Sequence, residues 1–262
     1  MFLFRLNKFL TYKMFSRHKR GHGIHSPFLY DLIRSVFRNK TETHVVLMVE
    51  RIRKRNRNDK RWIKIEDIGS GSLSMAGKIR RVSDISKYSS VPKKYGILLS
   101  NLAMAFGKET ILELGTSLGI STLYLALGSR ESTVHTIEGC EAVGEIAGRN
   151  FLYAGVENIV QHFGSFDDLL PEIIKSGINP SLVFIDGNHR REAVLRYVGL
   201  LADYVDEETV IVLDDIYLSP GMASAWEEIK RRVDVTLTID IYRMGLIFFR
   251  KSLGKLDVVV RY

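Results

Sequence analysis

From Thr110 onward, short apolar runs alternate with longer stretches whose apolar residues recur every three or four positions. The short runs read as buried strands and the longer ones as helices lying over them. The pattern predicts strand 111–114, helix 120–128, strand 133–138, helix 141–154 and strand 158–162. It continues with helix 166–176, strand 181–185, helix 189–204, strand 209–213 and helix 221–232. Two final runs, 234–241 and 243–250, lie too close together for a crossover and predict an antiparallel hairpin at the sheet's edge. Strands alternating with helices imply parallel pairing through right-handed crossovers. The expected fold is α/β, a doubly wound, seven-stranded, mostly parallel sheet whose one antiparallel strand comes from the C-terminal hairpin.

Upstream the pattern changes. Leu3, Leu6, Leu10 and Met14 recur at helical spacing with Arg5, Lys8, Lys13 and Arg17 among them. Such a helix suits peripheral contact with a membrane surface, or docking on its own domain or on a partner subunit of a homodimer; docking is the favoured reading. Ser26 and Pro27 have the chemistry of a helix start, and a helix is expected from Phe28 to Phe37. His22 and His25 are too few for a metal site. The charge run Arg51–Arg61 is expected to be a solvated helix face or loop, with nucleic acid a contact that is open but not favoured. Asp67-Ile68-Gly69-Ser70-Gly71-Ser72 imitates a nucleotide-binding turn but feeds no apolar helix, so it is expected to be a loop. A helix from about Pro92 to Phe106 then leads into the alternating region. The division this predicts is a basic, mostly helical extension over 1–89 and a main domain over 90–262.

Charge follows that division. Residues 1–61 hold 16 Lys+Arg against 4 Asp+Glu, while the remainder holds 22 against 26, so the net +8 comes from the N-terminal segment. A hydrophobic content of 45% with 26% charged residues is that of a globular chain. The lone Cys140 excludes an intrachain disulfide framework and a multi-thiol zinc cluster. No run approaches the roughly 18 apolar residues of a membrane span. With no secretory pattern at the start, a cytoplasmic location is expected.

Candidate chemistry gathers at the predicted strand ends, where ligands bind in such sheets. The first strand ends at Glu113 and a glycine turn, Gly115-Thr116-Ser117-Leu118-Gly119, which lets a ligand approach bare backbone at a helix N-terminus. The second ends at Glu138, 25 residues after Glu113, where an acid can accept both hydroxyls of a ribose. The third ends at Gly164-Ser165-Phe166, the fourth at Asp186 with His189 beyond it, and the fifth at Asp214-Asp215. Any one of these acids could be a helix cap; five in succession on one edge predict a site.

The stretch Ile111-Leu112-Glu113-Leu114-Gly115-Thr116, with Gly119, Ser121 and Thr122 beyond it, resembles the class I S-adenosylmethionine-dependent methyltransferases, whose fold is Rossmann-like. Val91-Pro92-Lys93-Lys94-Tyr95-Gly96 upstream and the hairpin after Asp240 narrow the resemblance to the catechol and caffeoyl-CoA O-methyltransferase branch, over about Ser90 to Lys251. By that resemblance Glu113, Gly115, Thr116, Ser117, Gly119 and Ser121 hold the methionine part of S-adenosyl-L-methionine. Glu138 binds the ribose, and Gly164, Ser165 and Phe166 the adenine region, with Asp186 close to the cofactor as well. In the family's metal-dependent members an acid and an Asp-Asn pair hold a magnesium-type cation; the matching positions here are Asp186, Asp214 and Asp215. Aspartate in place of asparagine either tightens a hard cation or marks a changed use.

The resemblance implies O-methylation of a small hydroxyl-bearing acceptor. Asp186 and His189 are the candidate catalytic residues: a Mg2+-type ion lowers the hydroxyl's pKa and His189 or the metal alone removes the proton. The departure at Asp215 keeps two other readings open. One is a metal-independent methyltransferase acting on nucleic acid or another acceptor recruited by the basic arm. The other is a protein that binds the cofactor without transferring a methyl group.

Overall fold

The computed structural model describes residues 1–17, 26–65 and 79–262, so the His22/His25 pair and the Asp67–Ser72 turn lie outside the described residues. Helix α1 (Phe2–Phe15) and helix α2 (Pro27–Asp31), which runs on as a π-helical stretch over Leu32–Phe37, open the chain. Ser26 caps α2 by accepting from the Leu29 N–H, with Pro27 at the first helical position, as expected. These elements belong to a compact unit made of Met1–Asn39 and Asn179–Tyr262; the second unit is Lys40–Ile178.

The second unit begins with α3 (Thr43–Asn58), a short hairpin of β1 (Trp62–Lys64) and β2 (Ile79–Arg81), α4 (Val82–Tyr88) and α5 (Lys93–Phe106). Then come β3 (Thr110–Leu114), α6 (Ile120–Gly128), β4 (Thr133–Glu138), α7 (Glu141–Ala154), β5 (Ile159–Phe163) and α8 (Phe166–Lys175). β4 pairs in parallel with β3 on one side and β5 on the other. The basic run is not simply a solvated face. Val49, Ile52, Arg53 and Asn56 of α3 are buried, and Arg53 donates to Glu50 at 2.9 Å. Glu50 also accepts from the Tyr124 hydroxyl of α6 at 3.1 Å. Arg51, Lys54, Arg55 and Arg57 remain exposed.

In the first unit β6 (Leu182–Ile185), α9 (Arg191–Ala202), β7 (Val210–Leu213), α10 (Pro220–Arg231), β8 (Leu237–Asp240), β9 (Gly245–Phe248) and β10 (Leu256–Val259) follow one another. β6 and β7 are parallel, β9 is antiparallel to both β7 and β8, and β10 lies parallel to β8. Every residue of β6 and β7 is buried, which is why both read as unbroken apolar runs rather than alternating ones. Trp226 of α10 is fully buried, with its ring within 2.6 Å of where a Cβ on Gly245 would stand. Met222 is buried too, so both are core residues.

The main sheet has eight strands where the sequence predicts seven. The addition is β10, paired only with β8 and half exposed. Its Leu-Asp-Val-Val run is too short and too mixed to announce itself, and it is held from outside by α1. The Tyr12 hydroxyl donates to the Val260 carbonyl at 2.9 Å, the Arg17 N–H donates to the Val259 carbonyl at 3.1 Å, and the Arg261 N–H donates to the Arg17 carbonyl at 3.0 Å.

Candidate functional site

In the second unit, the turn after β3 is built from left-handed backbone. Gly115, Ser117 and Gly119 have φ of 110, 47 and 77 degrees. At Gly119, the N-cap of α6, an added Cβ would meet the Phe151 ring at 2.4 Å, so glycine is required by space as well as by φ. Ser117, not a glycine, is held in its unfavoured conformation by Glu138, which accepts its N–H at 2.8 Å. The other oxygen of Glu138 accepts from the Cys140 N–H at 2.9 Å. Two backbone bonds do not exhaust an ionised carboxylate with about four lone-pair directions, so Glu138 can order the turn and still serve a ligand.

Behind the turn, Glu113 is fully buried and stands in register with Thr136 of β4. Its Oε2 accepts from Thr122 at 2.5 Å and from Thr136 at 2.7 Å. Because Thr136 spends its only hydroxyl proton on Glu113, Thr116, 2.6 Å away, must donate to Thr136. No cation stands among these partners. Burial raises the Glu113 pKa to about 7, against the pull of the Thr122, Ser121 and Thr136 hydroxyls and with a further push from Glu138. Oε1 is buried without a hydrogen bond of normal geometry. An orphaned, buried carboxylate oxygen beside a glycine turn suits a ligand that brings a positive charge.

Gly164, at φ 150 degrees, ends β5, and Ser165 caps α8 by accepting from the Asp167 N–H at 3.1 Å. Phe166 is the first residue of that helix and is partly exposed. The turn residues, Glu113, Ser121 and Glu138 are therefore joined by hydrogen bonds or close sequence, while Gly164–Phe166 end the neighbouring strand β5.

The first unit holds the other acids, together with a residue that sequence reasoning missed. Asp214 is fully buried, and Arg243, in the connection between β8 and β9, grips both its oxygens, Nε to Oδ1 at 3.0 Å and Nη2 to Oδ2 at 2.7 Å. The same guanidinium lies 3.6 Å from Asp215. Burial, then Asp186 and Asp215, push the Asp214 carboxyl up, and Arg243 pulls it down. Burial alone would lower the Arg243 pKa; the carboxylates Asp214, Asp215 and Asp186 outweigh it and raise it. His189 Nε2 is 3.7 Å from Asp186 Oδ1, and its Nδ1 is buried without a partner. Among the described residues, Asn188, Asp215 and Tyr242 join Ser117 as the non-glycine residues at positive φ, each in a loop that leaves the carboxyl end of a strand. Backbone strain gathered at one kind of position is common at binding sites.

The expected cation centre does not fit this arrangement. A divalent ion takes an open cage of negative or neutral oxygens, whereas a guanidinium already holds both oxygens of Asp214 and faces Asp215, and its positive charge opposes a second cation at that place. Among the described residues no group of three or more His, Cys, Asp or Glu is arranged to hold a metal ion. Arg243 could have been suspected, since it is the basic residue in the brief break between the two last apolar runs, next to Tyr242. Nothing in the spacing says which acid it meets. Asp240 was also missed as a partner: it is buried, accepts from the Tyr242 N–H at 2.7 Å and accepts a hydrogen bond from the Tyr217 hydroxyl.

A family model described as a methyltransferase domain matches residues 112–216, from the end of β3 past β7. A catechol O-methyltransferase of Niastella koreensis is 32% identical over 102 residues, which make up 38% of this chain and 46% of that protein. The chain thus spans about half the length of the curated relative it matches. The solved O-methyltransferase TomG of Streptomyces achromogenes, involved in tomaymycin synthesis and in complex with SAM, is 26% identical with a TM-score of 0.55, covering 62% of this chain and 82% of its own. An O-methyltransferase from Bacillus cereus in complex with SAH shares the fold at 19% identity and a TM-score of 0.57, over 79% of this chain and 92% of its own. The resemblance to the catechol and caffeoyl-CoA O-methyltransferase branch is therefore found by comparison as well as in the motif, and the stretch that matches the methyltransferase model contains every acid from Glu113 to Asp215 discussed above. Among the described residues no helix is long and apolar enough to cross a membrane.

Proposed function

We propose that the chain is an S-adenosylmethionine-dependent methyltransferase that methylates a hydroxyl of a small acceptor, with a protein guanidinium in the place where some relatives carry a metal. The observation that carries this reading is the buried, partnerless Oε1 of Glu113 beside the left-handed turn Gly115–Gly119. Glu113, Gly115, Thr116, Ser117, Gly119 and Ser121 would hold the methionine end of the cofactor, Glu138 the ribose, and Gly164, Ser165 and Phe166 the adenine side. Bound there, the cofactor supplies a methyl group already activated on a sulfonium sulfur.

Because the donor is activated, the chain's own residues have to orient the acceptor and take its proton. His189 is the group that takes it. The imidazole would accept the acceptor hydroxyl's proton as the methyl–sulfur bond gives way to the new carbon–oxygen bond and leaves a neutral thioether, and Asp186 would face the resulting positive charge. Arg243 fixes Asp214 and moderates the negative field of three clustered carboxylates, so that His189 works beside a set of acids that is partly neutralised. No step runs through a metal ion.

Two measurements test this. Calorimetry should show the cofactor binding to the wild type and about 10–100-fold more weakly to Glu113→Gln, the range expected when a hydrogen bond to a charged group is lost. An acceptor screen with methyl-labelled cofactor should then find turnover that persists in chelator and falls about 10²–10⁴-fold in His189→Asn. Turnover abolished by chelator would return the acids to a metal role. Tight cofactor binding with no transfer to any hydroxyl acceptor would leave a binding protein instead.

A further inference from the structure

Helix α1 carries two apolar stripes, and the fold uses only one. Phe4, Phe9 and Tyr12 face inward with Lys8. Phe9 and Tyr12 lie 5.2 and 5.5 Å from the Tyr242 ring, and the Lys8 ammonium sits 5.1 Å above Tyr217. The Tyr242 hydroxyl donates to the Arg5 carbonyl at 3.1 Å, and the Tyr12 hydroxyl links Val260 and Tyr262. Leu3, Leu6, Leu10 and Met14 lie on the opposite side at 100 degrees per residue and are 77, 41, 57 and 71% exposed. Phe2 at the helix start and Phe15 at its end are exposed as well. Scattered exposed apolar residues are ordinary; a stripe of four along one helix, opposite the docked face, is an interaction surface.

The charge says what kind of partner fits. Residues 1–17 contain Arg5, Lys8, Lys13 and Arg17 and no acid. Arg5, Lys13 and Arg17 are exposed. A second copy brought against this stripe would set two wholly cationic helices side by side, like against like. An anionic lipid surface meets both features, taking leucines and methionine below its headgroups while the flanking cations meet its charge. The docked face already holds α1 in its helical form, so binding need not cost the ordering of a free peptide.

We propose that the outward stripe Leu3, Leu6, Leu10 and Met14 of helix α1, flanked by Lys13 and Arg17, seats this protein on the surface of an anionic membrane. The spacing of these residues predicts a face consumed by docking; docking in fact uses the other side and leaves this one over.

Sedimentation of the full chain with vesicles tests the proposal, and its readout does not involve methyl transfer, so it can fail while the methyltransferase reading stands. Wild type should sediment with phosphatidylcholine–phosphatidylglycerol vesicles, bind pure phosphatidylcholine much less and be released by high salt. The double variant Leu6→Glu/Leu10→Glu alters only the outward stripe; its melting temperature should match wild type while vesicle binding falls by more than about tenfold. Lys13→Glu/Arg17→Glu should weaken binding about fivefold or more for each cation removed, and only on the anionic vesicles. Failure of wild type to bind anionic vesicles would overturn the proposal, as would binding that ignores both double variants. So would a wild-type dimer that Leu6→Glu/Leu10→Glu turns into a monomer without any vesicle binding, since the occupant would then be a second copy.

Discussion

Among the described residues each compact unit buries one carboxylate completely, and the two are answered by different partners. Asp214 is answered inside the protein by a guanidinium on both oxygens, with Asp215 sharing the same cation. Glu113 is answered by neutral hydroxyls on one oxygen, and its other oxygen has no partner. A buried acid with its own cation is a finished structural element. A buried acid with only hydroxyls has its pKa lifted to about 7, and a positive charge beside it would lower that value again. The contrast separates a buried acid with no cation among its partners from one that a guanidinium answers within a cluster of acids that is only partly neutralised.

The largest effect should come from breaking the balanced pair. Arg243→Met would leave Asp214 buried and unpaired and should cost about 3–5 kcal/mol in a urea titration. Asp214→Leu/Arg243→Met, which removes both charges, should recover most of that loss. A double variant no more stable than the single one would show that Arg243 is held by Asp215 and Asp186 as much as by Asp214.

Glu113 should behave in the opposite way. Its folded pKa is raised from the ordinary 4.5 to about 7, so the native state holds a proton that the unfolded chain has released in that interval. The stability this provides is complete below about pH 4.5, declines as pH rises and is gone above about 7, a change of about 3 kcal/mol across the window. Glu113→Gln should flatten that part of the stability-against-pH curve. A cationic ligand at Oε1 should lower the pKa again, so cofactor binding near pH 6 should release protons, seen in calorimetry as a heat that depends on the buffer. Binding without proton release would remove the ligand from Glu113.

The smallest change sharpens the same point. Thr122→Val takes one hydroxyl from Glu113 Oε2 and leaves that of Thr136; it should cost about 1 kcal/mol and move the stability window to higher pH. An unchanged window would mean that Thr122 is a packing residue and not a partner of the acid.

Most of the strand–helix alternation after Thr110 was legible because strands buried on both faces leave unbroken apolar runs. The Glu113–Gly119 turn was legible for a related reason: left-handed backbone and close packing on Phe151 admit glycine at Gly119, and sequence displays glycine directly. β10 was not legible, because a half-exposed edge strand held by a distant helix has no period of its own.

By itself, then, the sequence determined the α/β layering, the glycine turn and the succession of acids at strand ends, since each is set by local backbone needs and by burial period. Only the tertiary structure decided what each acid faces. Whether Asp214 meets a guanidinium or lies open to an ion depends on a residue 29 positions away, and whether α1 buries one apolar stripe or two depends on a contact with Tyr242 and Val260. Charge balance in a buried site is a property of neighbours in space, and spacing along the chain does not carry it.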